Sequence, residues 1–267
     1  MRNAGKRSVL GILIDAVDYE AAVQFVIQAA QARRSVAISA LAVHGVMTGV
    51  LDKEHKYRLN RFDLLVPDGQ PVRWVLNWLH GAALPDRVYG PNLTLMLCAR
   101  AAVEGLPLYF YGSTPQILSA LRQSLVKRFP GIQIAGVEPS QFRRLSHDEA
   151  AELAERIRSS GASILFVGLG CPRQEVFAYE FRNALAMPLL AVGAAFPFIA
   201  GQIAQAPLWM QDAGLEWAFR LASEPRRLWR RYLLLNPAYA LLVAAQALGL
   251  SRFAHEGQTP AGEILHG

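Results

Sequence analysis

"SILFVGLGCPRQE", residues 163–175, changes character halfway along. Its first half, Ile164 to Val167, is an unbroken apolar run, as expected of a strand covered on both faces. Gly168 and Gly170 then open a turn. Pro172 follows where a missing N–H costs nothing, so a helix starts there, with Gln174 and Glu175 in its first turn. A buried strand that passes through glycines into a helix is one βα unit of a parallel sheet.

The same unit recurs in both directions. Strands are expected at 8–15 ("SVLGILID"), 35–43, 63–69, 106–112, 132–137, 163–170 and 188–196 ("PLLAVGAAF"). Helices are expected at 18–34, at 113–129 with Ser113 or Thr114 as N-cap, and at 146–161, where Ser146 and Glu149 have capping-box spacing. The fold class is therefore α/β: a Rossmann-like, mostly parallel sheet with helices on both faces. With 267 residues the chain is long enough for one such domain plus an appendage. We expect an α/β domain over 1–200, a C-terminal basic and apolar helical appendage over 201–254, and a loose polar tail over 255–267.

Open α/β sheets bind ligands at the carboxyl ends of their strands. Here those ends carry Gly69, Gly112, Gly136, Gly168, Gly170 and Gly193, which permit close backbone approach to a ligand or simply punctuate βα turns. The first strand runs into "DAVDYE", so the GxGxxG dinucleotide fingerprint is missing, as is the P-loop pattern. A typical NAD enzyme and a P-loop NTPase are both disfavoured.

Composition narrows the partners. The net charge is +6 and the pI about 9.6, which suits nucleic acid, a phosphorylated ligand or an anionic membrane surface. Apolar residues make up 52% of the chain and the mean hydropathy is +0.20, high for a freely soluble protein. The two cysteines, Cys98 and Cys171, form no CxxC, which fits a reducing cytosol without structural metal. The N-terminal apolar run is followed at once by Asp15 and Asp18, so it reads as a first strand, not a signal peptide.

Several residues could carry chemistry. Asp68 in "LLVPDGQP" sits just past a strand, placed to take a proton from a bound hydroxyl or to serve as a turn aspartate before Gly69. Arg87 in "PDRVYGPN" precedes a helix starting near Asn92, a setting that suits a phosphate. In "GLGCPRQE", backbone N–H groups around Gly170 could meet a diphosphate, and Gln174 a sugar or base. Cys171 reads as a buried thiol, not a nucleophile. No DxD pair is present, and the six histidines are scattered without ligand spacing, so no metal is expected; arginines and helix dipoles must carry a diphosphate's charge.

Near the C-terminus, "EPRRLWRRYLLLNP" (224–237) puts Arg226, Arg227, Arg230 and Arg231 on one arc of a helix, at about 100° per residue, and Leu228, Trp229, Tyr232 and Leu235 on the other. Basic residues beside aromatics and leucines mark a helix at a membrane interface. Asn236 and Pro237 interrupt the apolar run that follows, leaving less than the roughly 20 residues a span needs. A helix buried in a bundle or oligomer, or a true span, are the alternatives.

Taken in order, "VPDGQP", "RVYGPN", "LYFYGSTP", "FVGLGCPRQE", "GAAFPFIAG", "QAPLWMQDAGLEWAFRL" and "EPRRLWRRY" resemble the motifs of the WecG/TagA/CpsF family of bacterial glycosyltransferases, over roughly residues 8–245. The resemblance implies an inverting, metal-independent enzyme without cofactor. It would move a sugar from a UDP-sugar to a lipid-diphosphate-linked saccharide, usually on undecaprenyl diphosphate, in cell-surface or exopolysaccharide biosynthesis. It implies Asp68 as general base, Arg87 and Gln174 as active-site residues, and Arg220, Arg227 and Arg230 as ligands of the acceptor's diphosphate. His44, Asn92, Gly112, Gly170 and Glu175 complete the expected substrate-binding set. The chain departs from the family pattern at Ala42-Val43-His44, where Thr-x-Asn is common, at Asn92, where aspartate is common, and at Pro197, inside a stretch that usually reads Phe-Asp-Phe. The expected location is the cytoplasm, peripherally on the inner face of the plasma membrane, with no nucleic acid as partner and a homo-oligomer left open. A basic nucleic-acid-binding protein and a catalytically inactive membrane scaffold of a polysaccharide assembly complex are the other readings.

Overall fold

The computed structural model describes the backbone of residues 1–267 and every side chain except those of Arg227 and Arg231. The chain opens with an antiparallel hairpin, β1 (Asn3–Val9) and β2 (Ile12–Val17). Six parallel strands then form the main sheet: β3 (Val36–Leu41), β4 (Leu64–Pro67), β5 (Leu108–Gly112), β6 (Ile134–Glu138), β7 (Ile164–Gly168) and β8 (Pro188–Ala191). Their spatial order is β4-β3-β8-β7-β5-β6.

Three expected strands are corrected. The single strand over 8–15 is a hairpin whose turn, Leu10-Gly11, lies inside the apolar run, with φ of 55° and 82°. Positive φ at both positions matches the twist of a two-residue hairpin, but a leucine there carries no turn signal. The strand over 188–196 stops at Ala191, and Ala195 opens a helix. The strand over 35–43 ends at Leu41, and Val43 is already helical.

Side chains alternate across each strand. Leu165 and Val167 of β7 face one core, and Ile164 and Phe166 the other. That is why the run is apolar throughout. One core is covered by α1 (Tyr19–Gln31), α5 (Gly90–Glu104), α6 (Pro115–Arg128) and α9 (Ala195–Ile199). The other is covered by the hairpin, α2 (Val43–Leu51), α3 (Lys53–Leu59), α4 (Gln70–His80), α7 (His147–Ser159) and α8 (Arg173–Phe181). Thr114 caps α6, and Ser146 with Glu149 forms the capping box of α7, as the spacing predicts.

The C-terminal region adds α10 (Leu208–Asp212), α11 (Glu216–Ser223) and α12 (Pro225–Ala247). Pro237 does not end α12, which stays helical through it. Leu228, Tyr232, Tyr239 and Val243 are buried, while Trp229, Leu233, Leu234 and Leu241 are exposed. Among the described residues no helix is long and apolar enough to cross a membrane. The last residues of the tail are hydrogen-bonded to the body of the fold. Glu180 accepts the N–H groups of Ile264 and Leu265 at 2.9 Å each, and Ser140 donates to the Gly267 carbonyl at 2.6 Å.

Candidate active site

A cavity of about 390 Å³ opens at the carboxyl ends of β3, β4, β7 and β8, where a parallel sheet of this kind binds ligands. Trp217 and Arg220 of α11 and Tyr232 and Asn236 of α12 line its outer wall. Several of the helices that start on this cavity have bare N-termini. At α2, α4 and α8 no side chain caps the first turn, whereas Asp18, Asp52 and Ser146 cap α1, α3 and α7 elsewhere in the fold. Uncapped N–H groups and a positive dipole end favour an anion.

Asp68 lies on the cavity wall just after β4. Its Oδ1 accepts the Gly90 N–H at 2.6 Å, which ties β4 to the start of α5. Burial pushes its carboxyl up to about 6, with Arg87 and the Gly90 N–H opposing and Glu216 adding to the rise. A carboxylate near neutrality is matched to accepting a proton at working pH.

Arg87 is buried on the cavity wall. Its Nη2 lies 2.6 Å from Glu216 Oε2 and donates to Gln211 Oε1 at 3.2 Å. The guanidinium also stands over the Tyr89 ring, 4.3 Å from its centre. Tyr89 donates its hydroxyl to Glu216 Oε1 at 2.9 Å, and burial pushes that hydroxyl's pKa far up, so it stays a donor. Arg220 lines the cavity with its guanidinium over Phe198, and its buried Nε has no hydrogen-bond partner among the described residues. The cavity thus holds a proton acceptor beside two cations and several helix N-termini.

Residues 7–253 match the glycosyl transferase WecG/TagA/CpsF family. The chain belongs to that family and is a glycosyltransferase. It is similar to the N-acetylglucosaminyldiphosphoundecaprenol N-acetyl-beta-D-mannosaminyltransferase of Bacillus spizizenii (strain ATCC 23059 / NRRL B-14472 / W23), 29% identical over 201 residues, 75% of each chain.

The structure brings most of the expected residues of this glycosyltransferase to the cavity: Asp68, His44, Arg87, Gly170, Gln174, Glu175 and Arg220. Two of them have hydrogen-bond partners within the protein. Gln174 Oε1 accepts the N–H of Gly170 at 3.1 Å and of Gly193 at 2.9 Å, so the amide clasps two loops. Glu175 is fully buried, with Oε1 accepting from Ser39 Oγ at 2.9 Å and Gln174 Nε2 at 2.8 Å. Burial raises its pKa.

Three expected residues are not on the cavity wall. Asn92 is exposed and pairs with the Tyr19 hydroxyl. Gly112, with φ of 108°, makes room for a close strand approach, since a Cβ there would come within 2.7 Å of the Gly168 backbone. Arg230 is exposed and stacks over Trp229 at 5.2 Å. The Arg227 side chain lies outside the described residues. Tyr89, Gln211, Glu216 and Trp217 were not singled out from the sequence. The motifs "RVYGPN" and "QAPLWMQDAGLEWAFRL" contain all four, and Glu216 could have been found by asking what neutralises Arg87.

Proposed function

We propose that this glycosyltransferase moves a sugar, with inversion, from a UDP-sugar to a saccharide carried on undecaprenyl diphosphate at the inner face of the cytoplasmic membrane. The observation that carries the reading is Asp68, a carboxyl raised to about 6 on the wall of a cavity that also holds Arg87 and Arg220. The Bacillus relative, whose name gives N-acetylglucosaminyldiphosphoundecaprenol as its substrate, supports a lipid-diphosphate acceptor.

In this reading Asp68 takes the proton of an acceptor hydroxyl. The hydroxyl oxygen bonds to the donor's anomeric carbon from the face opposite the diphosphate. The bond from that carbon to the diphosphate oxygen breaks, and UDP leaves with the electron pair. Arg87, Arg220 and the uncapped starts of α2, α4 and α8 stabilise the growing negative charge, the largest single contribution in many such sites. The exposed Trp229, Leu233 and Leu234 of α12, next to exposed Arg226 and Arg230, suit a bilayer interface that presents the acceptor.

The test is a panel of UDP-sugars with a lipid-diphosphate-linked sugar acceptor, read by product mass and by the anomeric proton coupling of the product. One added sugar with inverted configuration is expected. Transfer only from a non-uridine donor, or retention of configuration, would sink the reading.

A further inference from the structure

We propose that His55, Cys171 and Glu175 form a zinc-binding site in the inner wall of the cavity. His55 comes from α3, Cys171 from the turn after β7, and Glu175 from the first turn of α8. One ligating atom from each lies within 4.8 Å of the other two. Zinc bonds of about 2.0–2.3 Å put tetrahedral ligands roughly 3.3–3.8 Å apart, so a small contraction closes this set around an ion.

The side chains are built as ligands lacking their ion. His55 is 1% exposed, yet neither ring nitrogen has a hydrogen-bond partner among the described residues. Glu175 is 0% exposed, and besides Ser39 and Gln174 its carboxyl meets the Cys171 thiol. A buried imidazole is rarely left with both nitrogens unpaired, because it loses its hydration without replacement. Ser39 and Gln174 hold Oε1 and leave Oε2 to face the cluster. A ligating carboxylate is oriented in this way by partners outside the coordination shell.

The chemistry of the donors selects the metal. One imidazole nitrogen, one thiolate and one carboxylate oxygen suit zinc, whereas magnesium and calcium prefer oxygen throughout. Binding releases the thiol proton and any proton on the Glu175 carboxyl to solvent. The resulting Zn²⁺, thiolate, carboxylate and neutral imidazole sum to zero charge, which suits a largely buried metal. Cys171 and Glu175 both line the cavity, which leaves the remaining position open to water. The ion would fasten α3 to the turn that presents Gly170 and Gln174. No spacing pattern marks the set along the chain, because folding alone brings His55 to Cys171.

The experiment uses the full chain, stripped of metal and titrated with Co²⁺. One equivalent should bind, with a thiolate-to-cobalt charge-transfer band that Zn²⁺ abolishes by competition. Cys171→Ser should lose the band while keeping the circular dichroism of the wild type. Ser39→Ala, which frees Oε1, should weaken Co²⁺ binding about 10-fold or more. Absence of the band in the wild type, or a band that survives in folded Cys171→Ser, would overturn the site.

Discussion

Arg87 Nη2 meets Glu216 Oε2 at 2.6 Å, joining the loop before α5 to the first residue of α11. Only 8% and 13% of the two side chains are exposed. Burial works against the Arg87 charge, but Glu216 and Asp68 outweigh it and hold the guanidinium ionised. The pair therefore fastens the C-terminal helices over the cavity and keeps a cation there. In the proposed reaction a donor diphosphate entering the cavity would compete with Glu216 for that cation.

Glu216→Gln should therefore lower the melting temperature of the ligand-free protein. Removing one partner of a buried pair costs about 3–5 kcal/mol, and the nearby Asp68 should hold the loss to the lower end. UDP should then raise the melting temperature more in the variant than in the wild type, because Arg87 is released for the diphosphate. Thermal unfolding with and without UDP reads both effects. An equal UDP response in the two proteins would remove Arg87 from the diphosphate site.

Asp68→Asn keeps the shape and the acceptor for the Gly90 N–H but cannot take a proton. Turnover should fall by about 10²–10⁴-fold, the usual worth of a positioned base, with UDP affinity retained. Calorimetry for UDP and a steady-state assay separate the two. A folded variant with near-normal turnover would falsify the assignment of the base.

The raised pKa of Asp68 gives the same residue a signature in pH. With Asp68 as the proposed base the ionised form is the one that acts, so kcat/KM should fall with a single-proton limb as pH drops below about 6. Stability runs the other way. The folded pKa lies above the unfolded 3.8, so the favourable contribution is complete below that value and is lost as pH rises through about 6. The rise corresponds to ~3 kcal/mol in a dry site, and the intermediate exposure of Asp68 lowers that to roughly 1–2 kcal/mol. Asp68→Asn should be more stable than the wild type by that amount at pH 7.5, with the gap closing toward pH 4. Urea titrations at the two pH values check the sign.

Much of this site is legible in the sequence because it sits at strand ends. Asp68, Gly170 and Gln174 each follow an apolar run by a few residues, and a parallel sheet gathers such positions on one edge. What is hidden depends on distant pairing or on a local turn without the usual residues. Leu10 takes a positive φ that a sequence pattern assigns to glycine or asparagine. Pro237 interrupts the apolar run in sequence, yet α12 continues through it. The clasp formed by Gln174 joins Gly170 and Gly193, and nothing local announces that the second glycine is its partner.

That clasp is open to a direct test at Gly193. A Cβ there would lie 2.3 Å from Gln174 Oε1 and 2.9 Å from the Gly170 nitrogen. Gly193→Ala should push the amide away and leave two N–H groups without their acceptor. A loss of about 1–3 kcal/mol in unfolding free energy is expected, together with weaker UDP binding as the Gly170 turn loosens. Wild-type stability in this variant would mean that the loops hold their positions without Gln174.

Acceptor grip and membrane attachment should separate along the C-terminal helices. Arg220 stands inside the cavity, whereas Arg230 stands outside it over Trp229, near exposed Leu233 and Leu234. A charge-assisted hydrogen bond to a diphosphate is worth roughly 1.5–3 kcal/mol, about 10- to 150-fold in binding or rate. Arg220→Ala should reduce turnover by that factor even with a short, water-soluble diphosphate acceptor. Arg230→Ala should reduce use of the diphosphate acceptor while leaving UDP affinity unchanged, because Arg230 does not touch the cavity wall. Leu233→Ser with Leu234→Ser should release the protein from anionic vesicles and spare turnover on the soluble acceptor. Leu235 is unsuitable for this purpose, since it packs against the core and its replacement would report on folding. Arg220→Lys keeps the charge without the planar fork and should recover only part of the activity. Co-sedimentation with vesicles and acceptor-dependent kinetics, run on the same variants, distinguish the roles. Normal use of the soluble acceptor by Arg220→Ala would reassign the diphosphate to Arg87 and the helix N-termini. Vesicle binding that persists in the double serine variant would move the membrane-binding surface away from α12.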